Sequence, residues 1–244
     1  MLKFFRKIRF KLLENNDFRQ YLKYALGEIL LVMIGILLAL QVNNWNEARK
    51  DRNKEQVLYQ SLINSLESDL ADVTDKIAIV ENALNAQNIF MRKSFDALKD
   101  EYSILEVEQL LYDLSESSRS FFPNYGLYNK ISGNDQIDLI RSTDLQIQII
   151  ELYEQLYKRY NDLDLSIEKQ LTFSMYINFY SEIQAYSNDY GVYDIEFEIL
   201  EPHYDVLNEE CRRINTLTIL TRESMQTCKK EIEALLGNLR KQVK

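Results

Sequence analysis

Few residues in this sequence have the types and spacing that catalysis requires. The one histidine, His203, stands between Pro202 and Asp205, a position typical of the first turn of a helix. The sequence contains no glycine-rich phosphate loop, and no cysteine or histidine pair has the spacing of a zinc site. The acidic residues are spread along helix faces, as on solvated surfaces. We therefore expect a protein that is not an enzyme and that holds no cofactor or metal.

The two cysteines, Cys211 and Cys228, are 17 positions apart. If both lie on one helix, their Cα atoms are about 25 Å apart, whereas a disulfide needs them within about 7 Å. On that condition the two cannot bond to each other, and we interpret them as small buried apolar residues. A bridge between two copies of the chain in an oxidising compartment is the alternative.

Tyrosine is the other residue type that stands out, with 16 copies, six of them in residues 176–204. Because a tyrosine ring is apolar and its hydroxyl is polar, such a cluster suits the solvent-exposed end of a helical bundle. The alternative is a pocket or a surface for a partner. The candidate residues for that pocket or partner surface are Tyr176, Tyr180, Tyr186, Tyr190 and Tyr193.

The elements that position these residues begin with an almost wholly apolar segment, residues 24–42. As a helix it would rise about 28 Å, close to the thickness of the hydrocarbon core of a bilayer. Residues 29–40 contain no polar side chain, which does not fit a core helix with one polar face. A signal peptide would end in small residues, and the exit through Leu40 and Gln41 fits this poorly. We therefore predict an uncleaved transmembrane helix over residues 24–42.

Glu28 lies about one turn inside this helix, where its side chain can reach water at low cost. A polar contact with a second membrane helix is the alternative interpretation. Gly27, Gly35 and Ala39 form a stripe of small residues along which a partner helix could approach closely, and Glu28 lies near it. Gly27, Glu28, Gly35 and Ala39 are therefore the candidate interface between membrane helices.

Charge is distributed asymmetrically along the chain. Seven basic residues precede the apolar segment and four follow it within a similar distance. This difference favours a cytoplasmic N-terminus, so we expect an inner-membrane protein with a periplasmic body. Residues 1–23 carry +5, and the rest of the chain carries −14 of the net −9. A basic, aromatic-rich start next to a membrane helix suits anionic lipid better than nucleic acid, and we expect no nucleic-acid partner.

The remainder of the chain is patterned for long helices, with apolar residues at alternating steps of four and three. We call each such row of residues along one face of a helix a seam. The first seam contains Tyr59, Ile63, Leu66, Leu70, Val73, Ile77, Val80 and Leu84, and we expect Met91 and Leu98 to continue it past Gln87. The second seam contains Tyr204, Leu207, Cys211, Ile214, Thr218, Thr221, Met225, Cys228, Ile232, Leu235 and Leu239. Its middle is polar at Thr218 and Thr221.

Shorter helices are predicted between the two seams. One covers residues 104–114, and another begins at a cap on Ser142 or Thr143 and continues to about Ala185. Alternation at Tyr193, Ile195, Phe197 and Ile199 indicates an irregular connector that can include a short extended piece.

Only six glycines and two prolines occur in 244 residues, which argues against a sheet-rich fold. We therefore predict an all-α protein with a single N-terminal transmembrane helix and an extracytoplasmic antiparallel bundle. Its parts are a basic amphipathic cytoplasmic segment at 1–23, the transmembrane helix at 24–42 and an extracytoplasmic helical domain at 43–244.

Three stretches carry a family resemblance: MLKFFRKIRFKLL at the start, KYALGEILLVMIGILLALQVNNWNE at 23–47, and YNKISGNDQIDLIRSTDLQIQIIELYEQLY at 128–157. They resemble a family of Bacteroidota single-pass membrane proteins of unknown function. The resemblance is close in the anchor and loose in the middle. It implies an envelope location and a helical body, and it implies no activity.

These inferences favour a non-enzymatic, membrane-anchored envelope protein whose helical domain mediates assembly or scaffolding. Its expected partners are membrane lipid and either a second copy of the chain or another membrane protein. The alternative is a sensor-like bundle that binds a ligand and shifts the long helix. A cytoplasmic segment of about twenty residues has no signalling domain, so the sensor's output would need a membrane partner.

Overall fold

The structure is a computed structural model that describes residues 18–133, 136–183 and 195–243. Within these ranges every secondary-structure element is helical and no strand occurs, as the all-α prediction requires. The chain divides into two compact units, Met1–Glu55 and Gln56–Lys244. The predicted basic amphipathic segment lies largely outside the described residues.

Helix α1 spans Phe18–Arg92, 75 residues without a proline. It continues through residues 43–46, so the apolar segment and the first seam belong to one helix. The predicted continuation beyond Arg92 is wrong. Ser94 instead caps a new helix, and Leu98 is buried on that second helix.

The part of α1 in the first unit presents an apolar surface. Every large apolar side chain in residues 26–45 is exposed, with 47% to 65% of its surface accessible. In length and composition α1 can cross a membrane, and a signal sequence near an N-terminus would meet the same criteria.

Short helices follow α1 and are started by serine caps. Helix α2 spans Phe95–Glu101, and α3 spans Ile104–Ser115, close to the predicted 104–114. Ser103 and Glu106 form a reciprocal capping box at the start of α3. A 3₁₀ turn at Glu116–Ser118, helix α4 at Tyr125–Gly133 and a 3₁₀ turn at Gln136–Leu139 complete this region.

A third long helical run covers residues 143–183, which we call the middle helix. Its parts are α5 (Thr143–Glu151), a π-helical turn (Leu152–Leu156), α6 (Tyr157–Gln170), a π-helical stretch (Leu171–Tyr180) and α7 (Ser181–Ile183). Of the two predicted caps, Ser142 is the one used, and its hydroxyl accepts the amide of Leu145 at 3.3 Å.

The C-terminal part is helical from Phe197 onward. Helix α8 spans Phe197–Leu200, a 3₁₀ turn spans Glu201–His203, and α9 spans Tyr204–Gln242. The expected extended piece is therefore wrong at Phe197 and Ile199, while Tyr193 lies outside the described residues. Glu196 has extended backbone, and from there the amides of Ile199 and Leu200 bond back to its carbonyl.

The two predicted seams form the inside of the second unit. Every position of the first seam from Tyr59 to Leu84 is buried except Leu70, which is partly buried, and every position of the second seam is buried. These residues belong to two apolar cores. The first core draws on residues 58–84, 121–160 and 225–239, and the second on residues 86–114, 167–183 and 195–214.

A polar layer lies at the level where the two cores meet. Gln87 is fully buried, and its amide donates to the hydroxyls of Ser117 and Thr218, each at 3.0 Å. Asn215 donates to the Gln87 carbonyl oxygen at 3.0 Å. Gln87 and Thr218, which interrupt the two seams, therefore satisfy each other, whereas the buried hydroxyl of Thr221 makes no hydrogen bond to the described residues.

Contacts between α1 and α9 run in opposite order along the two helices. Glu67 pairs with Arg240 at 2.7 Å, whereas the carbonyl of Phe90 accepts the Asn208 amide at 2.7 Å. The middle helix shows the same order against α9. Gln148 accepts from Asn238 at 3.1 Å, and Ser174 donates to Glu210 at 2.6 Å.

Candidate functional site

The candidate membrane-helix interface lies on the exposed part of α1. A Cβ atom added at Gly27 or Gly35 would meet no heavy atom within 4 Å, so packing among the described residues requires neither glycine. Ala39 is exposed, and Glu28 is half-buried and has an interaction partner. The structure thus leaves the stripe accessible, and its use as an interface stays a prediction.

The candidate tyrosine surface is represented by two described residues, since Tyr186, Tyr190 and Tyr193 lie outside the described ranges. Tyr180 is 6% exposed and its hydroxyl donates to the carbonyl of Leu111 at 2.9 Å, so it belongs to the second core. Tyr176 is 47% exposed. The structure therefore separates these two predicted site residues.

Tyr176 is part of a small apolar patch on the π-helical stretch. Phe173 and Ile177 are exposed beside it, at 71% and 52%. Phe173 and Ile177 are four positions apart, close to one turn of a π-helix, and Tyr176 adjoins Ile177 in the chain, so the three exposed side chains are neighbours. We call Phe173, Tyr176 and Ile177 the apolar patch.

A different group of aromatic residues occupies the first core, and sequence reasoning did not identify it. Tyr153, Tyr157 and Tyr160 follow each other at steps of four and three on the middle helix, so they share one face. The loop after α3 and helix α4 supply the rest. We call Phe121, Tyr125, Tyr128, Tyr153, Tyr157 and Tyr160 the tyrosine cluster.

The rings of the tyrosine cluster pack directly against one another. Tyr128 and Tyr153 are stacked with centroids 4.4 Å apart, and Tyr157 meets Tyr153 edge-on at 5.1 Å. Phe121 meets Tyr157 edge-on at 5.7 Å. These are the favoured geometries of aromatic pairs, and the rings fill the space between the helices themselves.

A buried carboxylate, Asp69, lies against this cluster. It is 3% exposed and flanks the first seam on α1. One carboxylate oxygen accepts the Tyr157 hydroxyl at 2.9 Å, and the other accepts the backbone amide of Asn124 at 3.1 Å. Within the described residues, no basic side chain forms an ion pair with Asp69, so hydrogen bonds are its compensation for burial.

A second carboxyl group, Asp164, reaches the cluster through Tyr160. The backbone amide of Phe121 donates to the Tyr160 hydroxyl at 2.7 Å, and that hydroxyl donates to Asp164 at 3.1 Å. The three groups form a chain of hydrogen bonds from loop to helix. Such chains polarise one another and strengthen each bond.

The loop of residues 119–124, which leads into α4, is therefore held mainly by side chains. Its amides at Phe121, Phe122 and Asn124 each donate to a side chain, and Pro123 has no amide to donate. The acceptor for Phe122 is Asp72, at 3.2 Å. This accounts for the polar backbone of a loop that packs against a core.

Burial determines the protonation of the site. Desolvation raises the pKa of Asp69, and the hydrogen bonds from Tyr157 and Asn124 oppose that rise without cancelling it. Desolvation also raises the pKa of Asp164. The pKa of each of the hydroxyls of Tyr153, Tyr157 and Tyr160 is raised by burial as well, so these groups remain protonated donors at neutral pH.

The site can therefore bind protons and hold a loop. The buried hydroxyls of Ser65 and Tyr153 lie close enough that Ser65 lowers the pKa of Tyr153, yet neither hydroxyl makes a hydrogen bond of good geometry to the described residues. Among the described residues, no three histidine, cysteine or acidic side chains lie close enough to hold a metal ion.

Both cysteines are free, buried and on α9, as predicted for small apolar core residues. Burial raises the pKa of the Cys228 thiol to about 12 and raises the pKa of Cys211 as well. Both thiols are consequently uncharged at neutral pH and poor nucleophiles.

Parts of the tyrosine cluster had signals in the sequence. The steps between Tyr153, Tyr157 and Tyr160 mark a helix face, and Pro123 with Gly126 marks a loop. The contact between Asp69 and Asn124 joins residues 55 positions apart, and no local pattern predicts it.

Comparison with known sequences gives one match. The sequence model of a family of unknown function, DUF6090, matches residues 28–180, more than half of the chain. The matched region includes Glu28, Asp69, the tyrosine cluster and the apolar patch, whereas α9 lies outside it. The comparisons with curated proteins and with solved structures gave no match. The predicted membership of an uncharacterised family is thus confirmed, and the chain belongs to the family of unknown function DUF6090.

Proposed function

We propose that this protein is a non-enzymatic, single-pass membrane protein of the cell envelope whose helical body mediates assembly. The observation that carries the proposal is the apolar surface of residues 26–45, where every large apolar side chain is exposed. Burying apolar surface lowers the free energy by about 25 cal/mol per Å², so a surface of this kind is expected to contact lipid or another protein.

The proposed orientation places the N-terminus in the cytoplasm and the body in the periplasm, with α1 crossing the inner membrane. The excess of basic residues before residue 24 supports it, seven against four after the apolar segment. The resemblance of residues 23–47 to Bacteroidota anchors supports an envelope with a periplasm. The opposite order of contacts along the long helices supports an antiparallel bundle as the body.

In the membrane, we propose that Gly27, Glu28, Gly35 and Ala39 face a second helix, from another copy of the chain or from another membrane protein. Small residues let two backbones approach closely, and a polar group between helices is favoured over one facing lipid. The open space at Gly27 and Gly35 supports this role because no described residue comes within 4 Å of a Cβ added there.

In the body, we propose the apolar patch as the surface for assembly. Phe173, Tyr176 and Ile177 are exposed together, and aromatic residues are enriched at protein interfaces. The three residues lie on a π-helical stretch. Because π-helical turns are rare in proteins as a whole but enriched at functional sites, this position supports a functional role.

The membrane placement is tested by alkaline washing of membranes and by a reporter enzyme that is active only in the periplasm. We expect the full-length chain to resist extraction and a reporter fused after Lys244 to be active. Release of the protein by the wash would contradict the anchor. An inactive reporter with retained membrane binding would contradict the orientation alone.

The interface is tested by cross-linking of full-length protein in membranes. A Cβ added at Gly35 meets no heavy atom of the described residues within 4 Å, so we expect Gly35→Leu to disturb a neighbouring helix rather than the chain itself. We expect it to reduce the cross-linked species. Met33→Leu, at an exposed position off the stripe, is the control and should leave cross-linking unchanged. Equal cross-linking in both variants would contradict an interface along the stripe.

A further inference from the structure

We propose that Asp69 and the loop of residues 119–124 form a proton-sensitive latch, which closes more firmly when Asp69 takes up a proton and loosens when it is ionised. This regulatory device is independent of the function proposed above, because it concerns the second unit alone. It rests on where the loop meets α1 and on what surrounds the carboxyl group.

The loop lies directly on the carboxylate. The Asn124 amide donates to Asp69 at 3.1 Å, and the Phe122 amide donates to Asp72 one turn further along α1, at 3.2 Å. Asp69 is 3% exposed with the loop in place. Because the loop supplies one of its two hydrogen-bonding partners, opening the loop would hydrate the carboxyl group.

The groups that face Asp69 supply no positive charge to it. Tyr153 and Tyr157 approach from the middle helix, Tyr125 from α4, and Asp72 from α1 itself. Cys228 of α9 faces the same tyrosines. The nearest basic group in these contacts, Lys76, pairs with Asp72 at 3.5 Å and with Asp75.

The sign of the effect follows from the balance between burial and hydrogen bonding. Burial is the larger influence, so the pKa of Asp69 is raised in the closed state and returns toward its usual value when water enters. The closed loop therefore binds the proton more tightly than the open loop. By linkage, the closed loop gains stability as the pH falls through the range between the raised pKa of Asp69 in the closed state and its usual pKa in the open state. A rise in pH through the same range favours opening.

The hydrogen bonds can accommodate the proton without releasing the loop. The oxygen that now accepts from Tyr157 can carry the proton and donate to the same hydroxyl. The other oxygen continues to accept from Asn124. Protonation thus removes the buried charge and retains the contact that holds the loop.

Asp164 is a second carboxyl group with a raised pKa near this loop, and the test must separate the two. Asp164 contacts the loop through the side chain of Ser120 and, by way of the Tyr160 hydroxyl, through the amide of Phe121, and neither contact involves Asp69. Asp164→Asn therefore serves as a matched comparison for Asp69→Asn. Asp72→Asn removes a charge that pairs with Lys76 and that is only half-buried, so it controls for charge change near the loop.

The experiment is amide hydrogen exchange by mass spectrometry on the full-length protein in detergent from pH 5 to 8, corrected for the intrinsic chemical rate. We expect protection of the peptide that covers residues 119–124 to fall severalfold as pH rises. Asp69→Asn should raise protection at pH 8 and reduce this slope. Asp72→Asn should lower protection at every pH, because it weakens the contact with the Phe122 amide, and should keep a pH-dependent slope whose midpoint moves to lower pH, because the Asp72 charge raises the pKa of Asp69. In Asp164→Asn, protection should still fall as the pH rises, because Asp69 still titrates.

A wild-type peptide with protection independent of pH would overturn the latch, and so would an Asp69→Asn slope equal to that of the wild type. If Asp69→Asn fails to fold, Tyr157→Phe supplies the test. It removes a hydrogen bond that lowers the pKa of Asp69, so the midpoint of the protection curve should move to higher pH. A midpoint that stays or moves to lower pH would equally overturn the proposal.

Discussion

The side-chain amide of Gln87 donates to the hydroxyl of Thr218 at 3.0 Å, across a level of the body where apolar residues are interrupted on both helices. Each residue breaks the seam of its own helix, and each is fully buried. Together they align α1 and α9, because a shift of either helix would leave a buried polar group without its partner.

We expect Gln87→Ala to lower the free energy of unfolding by about 1–3 kcal/mol, because it removes two buried hydrogen bonds and leaves a cavity. Gln60→Ala is the matched control on the same helix. Gln60 is exposed and bonds to Asn64 one turn away, so its loss should change stability little. Denaturant unfolding measures both. Equal costs would contradict the role of the layer.

The pair Gln87→Leu with Thr218→Val should cost much less than the sum of the two single changes. Replacing both partners by apolar groups of similar shape leaves no unsatisfied polar atom between them, whereas either single change does. The same unfolding measurement on all four proteins gives the coupling. Additive costs would show that the two side chains act independently.

The central parts of the fold could be predicted because they depend on local periodicity. The seam of α9 is buried at every predicted position, including Cys211 and Cys228. The predicted continuation of the first helix to Leu98 is wrong for a local reason. Ser94, which lies between Met91 and Leu98, acts as the N-cap of a new helix. A serine is more stable at the start of a helix, where its hydroxyl accepts a backbone amide, than at a buried position that favours an apolar side chain.

The tyrosine cluster could not be predicted from the same patterns. Its rings come from the loop, α4 and the middle helix, and its carboxylate comes from α1. Tyr157 and Asp69 are 88 positions apart, so their contact depends on how the helices pack. The sequence instead directed attention to tyrosines 176–204, where Tyr180 proves to be a core residue.

We expect Tyr157→Phe to lower the free energy of unfolding by about 1–3 kcal/mol at neutral pH, because Asp69 loses one of two hydrogen bonds while staying buried. Tyr153→Phe is the control from the same cluster. Its hydroxyl has only the Ser65 hydroxyl nearby and makes no hydrogen bond of good geometry to the described residues, so its removal should cost less than that of the Tyr157 hydroxyl. Thermal unfolding at fixed pH distinguishes them. A larger loss for Tyr153→Phe would contradict the assignment of Asp69 to Tyr157.

The cap of the middle helix gives a second matched pair. Ser142→Ala should lower stability by about 1 kcal/mol, since its hydroxyl accepts the amide of Leu145. Thr143→Ala removes an exposed neighbour that begins the helix and should cost little. Denaturant midpoints measure both. If Thr143→Ala is the more costly change, the helix starts one residue later than the structure has it.

Both cysteines should resist modification in the folded protein. At pH 8 a thiol with a pKa of about 12, as burial gives Cys228, has a thiolate fraction of about one in ten thousand. We expect slow reaction of Cys211 and Cys228 with a thiol reagent in the native state and full reaction in denaturant. Rapid native labelling, or a dimer on a non-reducing gel, would favour the alternative of a bridge between chains.

The most direct test of a membrane-anchored assembly is the native mass of the full-length protein extracted in mild detergent. A single chain has a mass of 29.0 kDa. We predict a complex that is heavier by whole copies of the chain or by a second protein, and a lower mass for Gly35→Leu. A wild-type mass of one chain alone, with no retained partner, would contradict the proposed assembly.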